Sequence, residues 1–196
     1  MVRYIDDFVL CFQYREDALR VQDALRKRLG KFGLTLEPRK TKLVEFGRFA
    51  QKYANKRGRR RPDTIYFLGF TLYCTCNRKG NFRVGFRTEK SRLRRAILRF
   101  EDQMRRMRHF PLQEQADQLK QMLRGHYAYY GMAGNVRALR KVHRVVEYYW
   151  RKMLSSRSSK GEVWWKKFQQ IEARFPLLQP KLHVPYGELQ ALATPL

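Results

Sequence analysis

The chain has 196 residues, with 43 Lys and Arg against 17 Asp and Glu, a formal net charge of +26. Such a positive field attracts polyanions and is released from them by salt, so nucleic acid is the expected partner class. No uninterrupted apolar run approaches the roughly 20 residues of a membrane-spanning helix, and no signal-peptide pattern opens the chain; a cytoplasmic protein without a membrane partner is expected.

Hydrophobic content of 43%, with 14% aromatics, is enough to bury a core, which sets wholesale disorder aside. Val2 to Ile5 and Phe8 to Phe12 read as the arms of a β-hairpin, with Asp6-Asp7 as its turn. Residues 15 to 32 form an amphipathic helix, because Ala18, Val21, Leu25, Leu29 and Phe32 step by three or four. Glu16 and Asp17 suit its N-terminus and Gly33 its C-cap. Thr41 to Phe46 reads as a short strand. Gly47 to Arg61 holds seven Lys or Arg residues and no acid, and reads as a loop or insertion. Ile65 to Cys74 and Asn81 to Arg87 read as two strands joined by a turn at Asn77 to Gly80.

Near Thr88 the apolar period changes from two to 3.6. Leu93, Ile97, Phe100, Met104 and Met107 mark one face of a helix. Further helices are expected over about Leu112 to Tyr130, Val136 to Ser155 and Val163 to Phe175, with a polar break from Ser155 to Gly161. The tail, with Pro176, Pro180, Pro185 and Pro195, reads as extended. The architecture expected is therefore α+β up to about residue 88 and all-α after it. Cys11, Cys74 and Cys76 lack paired CxxC spacing and read as buried small hydrophobes rather than a zinc site. His126 and His143 belong to no ligand cluster and read as structural or RNA-contacting.

Two adjacent acids, Asp6 and Asp7, sit between apolar arms in a strongly basic chain. At a hairpin tip both carboxylates can approach one cation. Their hard oxygens suit Mg²⁺, and Mg²⁺ suits phosphoryl transfer. The competing reading is a solvated turn, where Asp is common.

Context favours the first reading. Tyr4-Ile5-Asp6-Asp7 followed by apolar residues resembles the signature of reverse transcriptases, with Ile5 where the group II intron enzymes usually carry Ala. Gly33-Leu34-Thr35-Leu36-Glu37-Pro38-Arg39-Lys40-Thr41-Lys42 is similar to the palm segment that follows that signature. Phe67-Leu68-Gly69-Phe70 resembles the primer-grip hairpin. Arg124-Gly125-His126-Tyr127-Ala128-Tyr129-Tyr130-Gly131 with Asn135, then Tyr149-Trp150-Arg151 and Arg174-Phe175-Pro176, are similar to the maturase-specific thumb. The blocks occur in family order and cover nearly the whole chain, which resembles the C-terminal part of a group II intron reverse transcriptase/maturase.

That resemblance implies an incomplete palm over residues 1–88, a helical thumb bundle over 89–178, and a Pro-containing tail over 179–196. It implies that Asp6 and Asp7 are catalytic, metal-binding carboxylates, with Mg²⁺ as cofactor. Tyr4 would lie against template–primer and Lys40 near the nucleotide phosphates, although Lys40 also reads as a solvated loop lysine. Phe67, Leu68, Gly69 and Phe70 would support the primer end, with Gly69 allowing close backbone approach.

RNA contacts are expected from the basic loop at Lys56, Arg57, Arg59, Arg60 and Arg61. In the thumb they are expected from Arg124, His126, Tyr127 and Tyr130. The next helix adds Arg137, Arg140, Lys141, Arg144, Arg151 and Lys152. Basic groups there meet phosphates, and interleaved aromatics, Tyr148, Trp164 and Trp165 among them, either stack on unpaired bases or form core. The expected partners are group II intron RNA, an RNA/DNA template–primer and an upstream fingers/palm fragment. Family polymerases draw a further Asp and the fingers from sequence before the Tyr4 motif, and only Met1-Val2-Arg3 precede it. RNA binding, rather than DNA synthesis by the chain alone, is the expected activity. The alternatives are a non-enzymatic basic RNA-binding protein and an inert remnant of a mobile element.

Overall fold

A computed structural model describes residues 1–158 and 161–193. The chain divides into two compact units, Met1–Leu68 with Leu72–Val84, and Gly69–Thr71 with Gly85–Leu196. The fold is α+β, with two small antiparallel sheets in a largely helical chain.

The first unit opens with a hairpin of β1 (Val2–Tyr4) and β2 (Asp7–Val9), paired in the register Val2 to Val9, Arg3 to Phe8 and Tyr4 to Asp7. Its two-residue loop is Ile5-Asp6, so the turn lies one residue earlier than Asp6-Asp7. Helix α1 (Arg15–Gly30) carries Glu16 and Asp17 in its first turn and Lys27 and Arg28 in its last, each at the favourable end of the dipole. Gly33, at φ 68°, closes it. The Leu34 amide donates to the Leu29 carbonyl at 3.0 Å and the Gly33 amide to Gly30 at 3.2 Å, a Schellman motif.

Four further expectations are corrected. Cys11 and Cys76, expected to be buried, are exposed. Residues 41–46 are irregular; a strand exists only by pairing with a neighbour, and these residues join neither sheet. The basic stretch contains helix α2 (Ala50–Lys56). A second Schellman closure ends it, with Gly58 at φ 68° and the Arg59 amide on the Ala54 carbonyl at 2.9 Å. The basic run thus begins at a helix C-terminus, where positive charge is favoured. Next come β3 (Ile65–Phe67), β4 (Phe70–Cys76) and β5 (Phe82–Thr88), a sheet in the order β3-β4-β5. The expected single strand from Ile65 is interrupted at Leu68-Gly69, where both residues have positive φ, 48° and 74°. That is the type I′ pattern of a two-residue hairpin loop.

The second unit holds α3 (Lys90–Arg106), α4 (Leu112–Tyr130), α5 (Val136–Ser155), α6 (Trp165–Arg174) and α7 (Tyr186–Ala193). Its core is one cluster drawn from the helical stripes: Phe100 and Met104, then Leu119, Leu123 and Tyr127, then Leu139, Val142, Val146 and Trp150, with Phe168. The buried Trp150 indole N–H donates to Gln115 Oε1 at 2.8 Å, and Gln115 Nε2 donates to the Phe110 carbonyl at 2.8 Å. Buried Asn135 accepts the Thr88 amide at 2.8 Å and donates to Thr88 Oγ1 and the Tyr130 carbonyl, both at 2.8 Å. These polar groups are therefore satisfied inside the core.

The tail is not extended throughout. Leu177 is buried and Leu178 and Leu182 pack on the core. The His183 amide donates to the Gly131 carbonyl at 2.7 Å, and Met132 bridges Val184 in parallel. Residues 186–193 then form α7. Proline restricts the residue before it but is tolerated at a helix start, so the prolines mark the segment before α7 and not its end. Pro195 lies outside the described residues.

Candidate nucleic-acid interface

Asp6 and Asp7 differ in position. Asp6 is in the loop, whereas Asp7 is in β2 directly opposite Tyr4. Cross-strand partners share a face, so Tyr4 and Asp7 project from the same side of the hairpin. Both acids are exposed, and neither forms an ion pair among the described residues. Arg3, which sequence reading passed over, donates from Nε to the Ile5 carbonyl at 2.8 Å and so ties down the loop instead of neutralising the acids. Ile5 has φ 55° and is 72% exposed. A β-branched residue there is strained, and strain of this kind gathers at functional tips.

Residues 1–72 match the family model described as reverse transcriptase (RNA-dependent DNA polymerase). No curated protein and no solved structure matches the chain. The matched segment contains the carboxylate hairpin, and the match supports a reverse-transcriptase-family origin for it. Family enzymes work on nucleic acid, in keeping with the +26 charge. No described helix is long and apolar enough to cross a membrane.

Within the matched segment, Lys40 is exposed at the end of a tight turn. Its amide and that of Thr41 donate to the Glu37 carbonyl at 3.1 and 2.9 Å, and the Arg39 amide donates to Glu37 Oε1 at 3.2 Å. Lys56, Arg57, Arg59, Arg60 and Arg61 are all exposed. Arg57 pairs with Glu45, and Arg59 pairs with Asp63 at 2.7 Å. Arg59 and Asp63 are both exposed, and such a pair is worth about 1 kcal/mol or less, whereas Glu45 is half-buried and also pairs with Arg15 at 3.4 Å.

Phe67 and Leu68 are half-buried. In the second unit, a Cβ on Gly69 would meet the Tyr130 hydroxyl at 3.1 Å. The Gly69 carbonyl accepts the Glu89 amide at 3.0 Å. Phe70 is buried, with its ring 6.1 Å from Tyr129 and 5.4 Å from Tyr130.

Helix α5 separates its faces. Leu139, Val142, Val146, Trp150 and Met153 are buried, while Arg137, Arg140, Lys141, Arg144, Tyr148 and Lys152 are exposed. The exposed set recurs at three- and four-residue steps, so it forms a stripe about 22 Å long at 1.5 Å per residue. None of its cations makes an ion pair among the described residues. Arg124 is exposed on α4.

Burial corrects two expected RNA contacts. Tyr127 has no exposed surface, and His126 is buried against Phe100, Tyr127 and Tyr130. Aromatic spacing on α4 therefore reports core here. Burial also lowers the His126 pKa to about 4, because desolvation penalises the charged ring. Tyr130 is half-buried beside Phe70.

His143 is buried too. Its Nδ1 lies 3.2 Å from Glu147 on the same helix. Burial pushes its pKa down, only partly opposed by the charge of Glu172, while burial and a hydrogen bond with Glu147 push the Glu172 carboxyl up. This trio is what occupies Glu147, the single acid of α5, and leaves the outer stripe wholly basic.

Arg157 was not singled out by sequence. It donates from Nε to the Arg108 carbonyl at 2.6 Å and from Nη2 to Phe110 at 2.8 Å. It satisfies carbonyls beyond the end of α3, and no spacing signal marks it.

Proposed function

We propose that this chain is the RNA-binding portion of a group II intron-encoded protein, from a family that combines RNA-directed DNA synthesis with assistance to intron splicing. Residues 1–88 take the role of the end of the palm, 89–178 that of the thumb, and 179–196 that of its tail. The observation that carries the reading is the Tyr4-Ile5-Asp6-Asp7 hairpin inside a segment matching the reverse transcriptase model. The uncompensated basic stripe of α5 supplies the surface on which structured RNA is held.

Asp6 and Asp7 suit Mg²⁺ by their chemistry. That ion characteristically takes one or two carboxylates and fills its remaining positions with water and phosphate oxygens. When bound, it stabilises the attacking and leaving oxygens of phosphoryl transfer. The hairpin's own part is to present the two carboxylates beside Tyr4, with Arg3 holding the loop. Splicing assistance requires only that binding stabilise the folded intron, and RNA holding is the activity assigned to the basic stripe of α5.

The test is a titration of the chain with folded group II intron RNA and with an unrelated RNA of equal length, at rising salt. Preferential intron binding that survives salt supports the reading. Equal binding of both RNAs that collapses together leaves only charge, and refutes it. Replacing Arg137, Arg140 or Arg144 by Gln is expected to lower the salt slope by about 1 each.

A further inference from the structure

Three aromatic rings, Tyr148 near the end of α5 and Trp164 and Trp165 at the start of α6, are exposed. Tyr148 is 54% exposed, Trp164 67% and Trp165 50%. Tyr148 and Arg151 are three residues apart and share a face of the helix. Trp164 and Trp165 stand at the start of α6. Trp165 meets buried Phe168 edge to face at 5.8 Å, which fixes its ring at the rim of the core.

Arg151 joins the two helices. Its guanidinium carbon lies 4.9 Å from the Trp165 ring centre and 5.9 Å from that of Tyr148. Its Nη1 donates to the Val163 carbonyl at 3.0 Å. The guanidinium thus lies within cation–π reach of both rings, and the Trp165 ring, already set against Phe168, loses little freedom on binding. Arg144 and Lys152 lie one turn before and after Tyr148 on α5, and Lys166 and Lys167 follow Trp165 on α6; all four are exposed, with Glu162 the exposed acid nearby in sequence. Glu147 and Glu172 are engaged with each other and with His143.

Exposed apolar rings usually invite another protein, but partner surfaces that suit four cations around three rings must be both anionic and flat-faced. Unpaired nucleotides meet both demands, since every base has a π-face and every phosphate a charge. Paired bases do not, because their faces are already stacked.

We propose that Tyr148, Arg151, Trp164 and Trp165 form a stacking platform for unpaired bases of a nucleic-acid strand, whose phosphates meet the flanking Lys and Arg residues. The platform deepens the RNA-holding role and rests on it, because the basic stripe of α5 leads directly to these rings. It assigns the C-terminal end of the stripe to single-stranded nucleotides and leaves the remainder to backbone charge.

The experiment titrates the full chain with a short oligouridine, with an abasic strand carrying the same number of phosphates, and with an RNA duplex of equal charge. Tryptophan emission and anisotropy are read together. Buried Trp150 serves as an internal reference, since it has no exposed surface. Oligouridine is expected to quench the exposed tryptophans and to bind about tenfold more tightly than the abasic strand. The duplex is expected to bind without quenching. Tyr148→Ala and Trp164→Ala, both at exposed positions, are each expected to shrink the oligouridine advantage while leaving helix content and abasic-strand binding unchanged. Equal binding of base-bearing and abasic strands without quenching overturns the platform and leaves RNA holding intact. No binding of any strand overturns the RNA-holding role as well.

Discussion

The two units use apolar residues very differently. In the first, the buried apolar side chains are three alanines, Ala18, Ala50 and Ala54, whereas Tyr4, Ile5, Phe8, Phe12, Tyr14 and Phe32 are among its exposed large residues. The second encloses Trp150, Tyr127, Phe168 and a full set of Leu, Val and Met side chains. Amphipathic elements exist in both. Burial follows only where several such faces meet, and α3, α4 and α5 meet. The first unit is held by turns, caps and short ladders, so its stability is local, while that of the second is cooperative.

The sharpest way to break this comparison is to truncate one large ring in each unit. Trp150→Ala removes a fully buried indole that stacks edge to face on Phe168 at 5.6 Å and leaves Gln115 without its donor. A loss of about 3–5 kcal/mol is expected, enough to unfold much of the helical signal in circular dichroism. Phe8→Ala, at a 39% exposed position, is expected to cost less than about 1 kcal/mol. Similar losses for the two variants would mean that the first unit has a cooperative core after all.

Acid should distinguish the units next. His126 titrates at about 4 when folded, against 6.5 ordinarily. Between those values the unfolded chain binds the proton and the folded chain does not. Stability therefore falls as pH drops through this window, by about 3 kcal/mol in all. His143, also pushed down, acts in the same direction; Glu172, pushed up, opposes it. Denaturant midpoints measured from pH 7 to pH 4 should fall for the second unit, and His126→Phe should flatten that fall. An unchanged slope in the variant would mean that His126 is not the group responsible.

What could be read from sequence divides along the same line. The bounds of α4 and α5 were legible because a 3.6 period over many residues is a local signal that the core then rewards. Gly33 as a helix stop was legible for the same reason. The register of the first hairpin was off by one, because Asp6-Asp7 looks more turn-like than Ile5-Asp6, and only the pairing of Tyr4 with Asp7 decides it. The strand expected at 41–46 failed because pairing is non-local, and α2 was masked by its charge. At the site, the cations of α5 were legible as basic groups interleaved with aromatics. The burial of His126 and Tyr127 was not, since an aromatic on a basic helix looks alike whether it faces core or RNA.

A single polar residue tests how the second unit is fastened. Asn135 makes three hydrogen bonds, all at 2.8 Å, to Thr88 and Tyr130. Asn135→Ala leaves a buried amide and a carbonyl without those partners. About 2 kcal/mol should be lost, seen as a lower unfolding midpoint. Asn135→Asp, which keeps the acceptor for the Thr88 amide, should lose its donors and so fall between the two. If both variants matched the parent, water would be replacing these bonds and the joint would not be buried.

The smallest expected effect lies in the hairpin that carries the carboxylates. Ile5 is held at φ 55° and Leu68, in the other two-residue loop, at φ 48°. The left-handed region costs an L-residue about 1–2 kcal/mol, more for a branched one. Ile5→Gly removes that strain but adds chain entropy to the unfolded state, so a net gain of about 0.5–1 kcal/mol is expected. Leu68→Asn should gain about 0.5 kcal/mol, since Asn tolerates this region with little added freedom. Amide exchange at Tyr4 and Asp7 would slow in Ile5→Gly, with no change in the helical unit. Faster exchange would instead show that the exposed Ile5 side chain organises the tip, and that the carboxylates owe their placement to it as well as to Arg3.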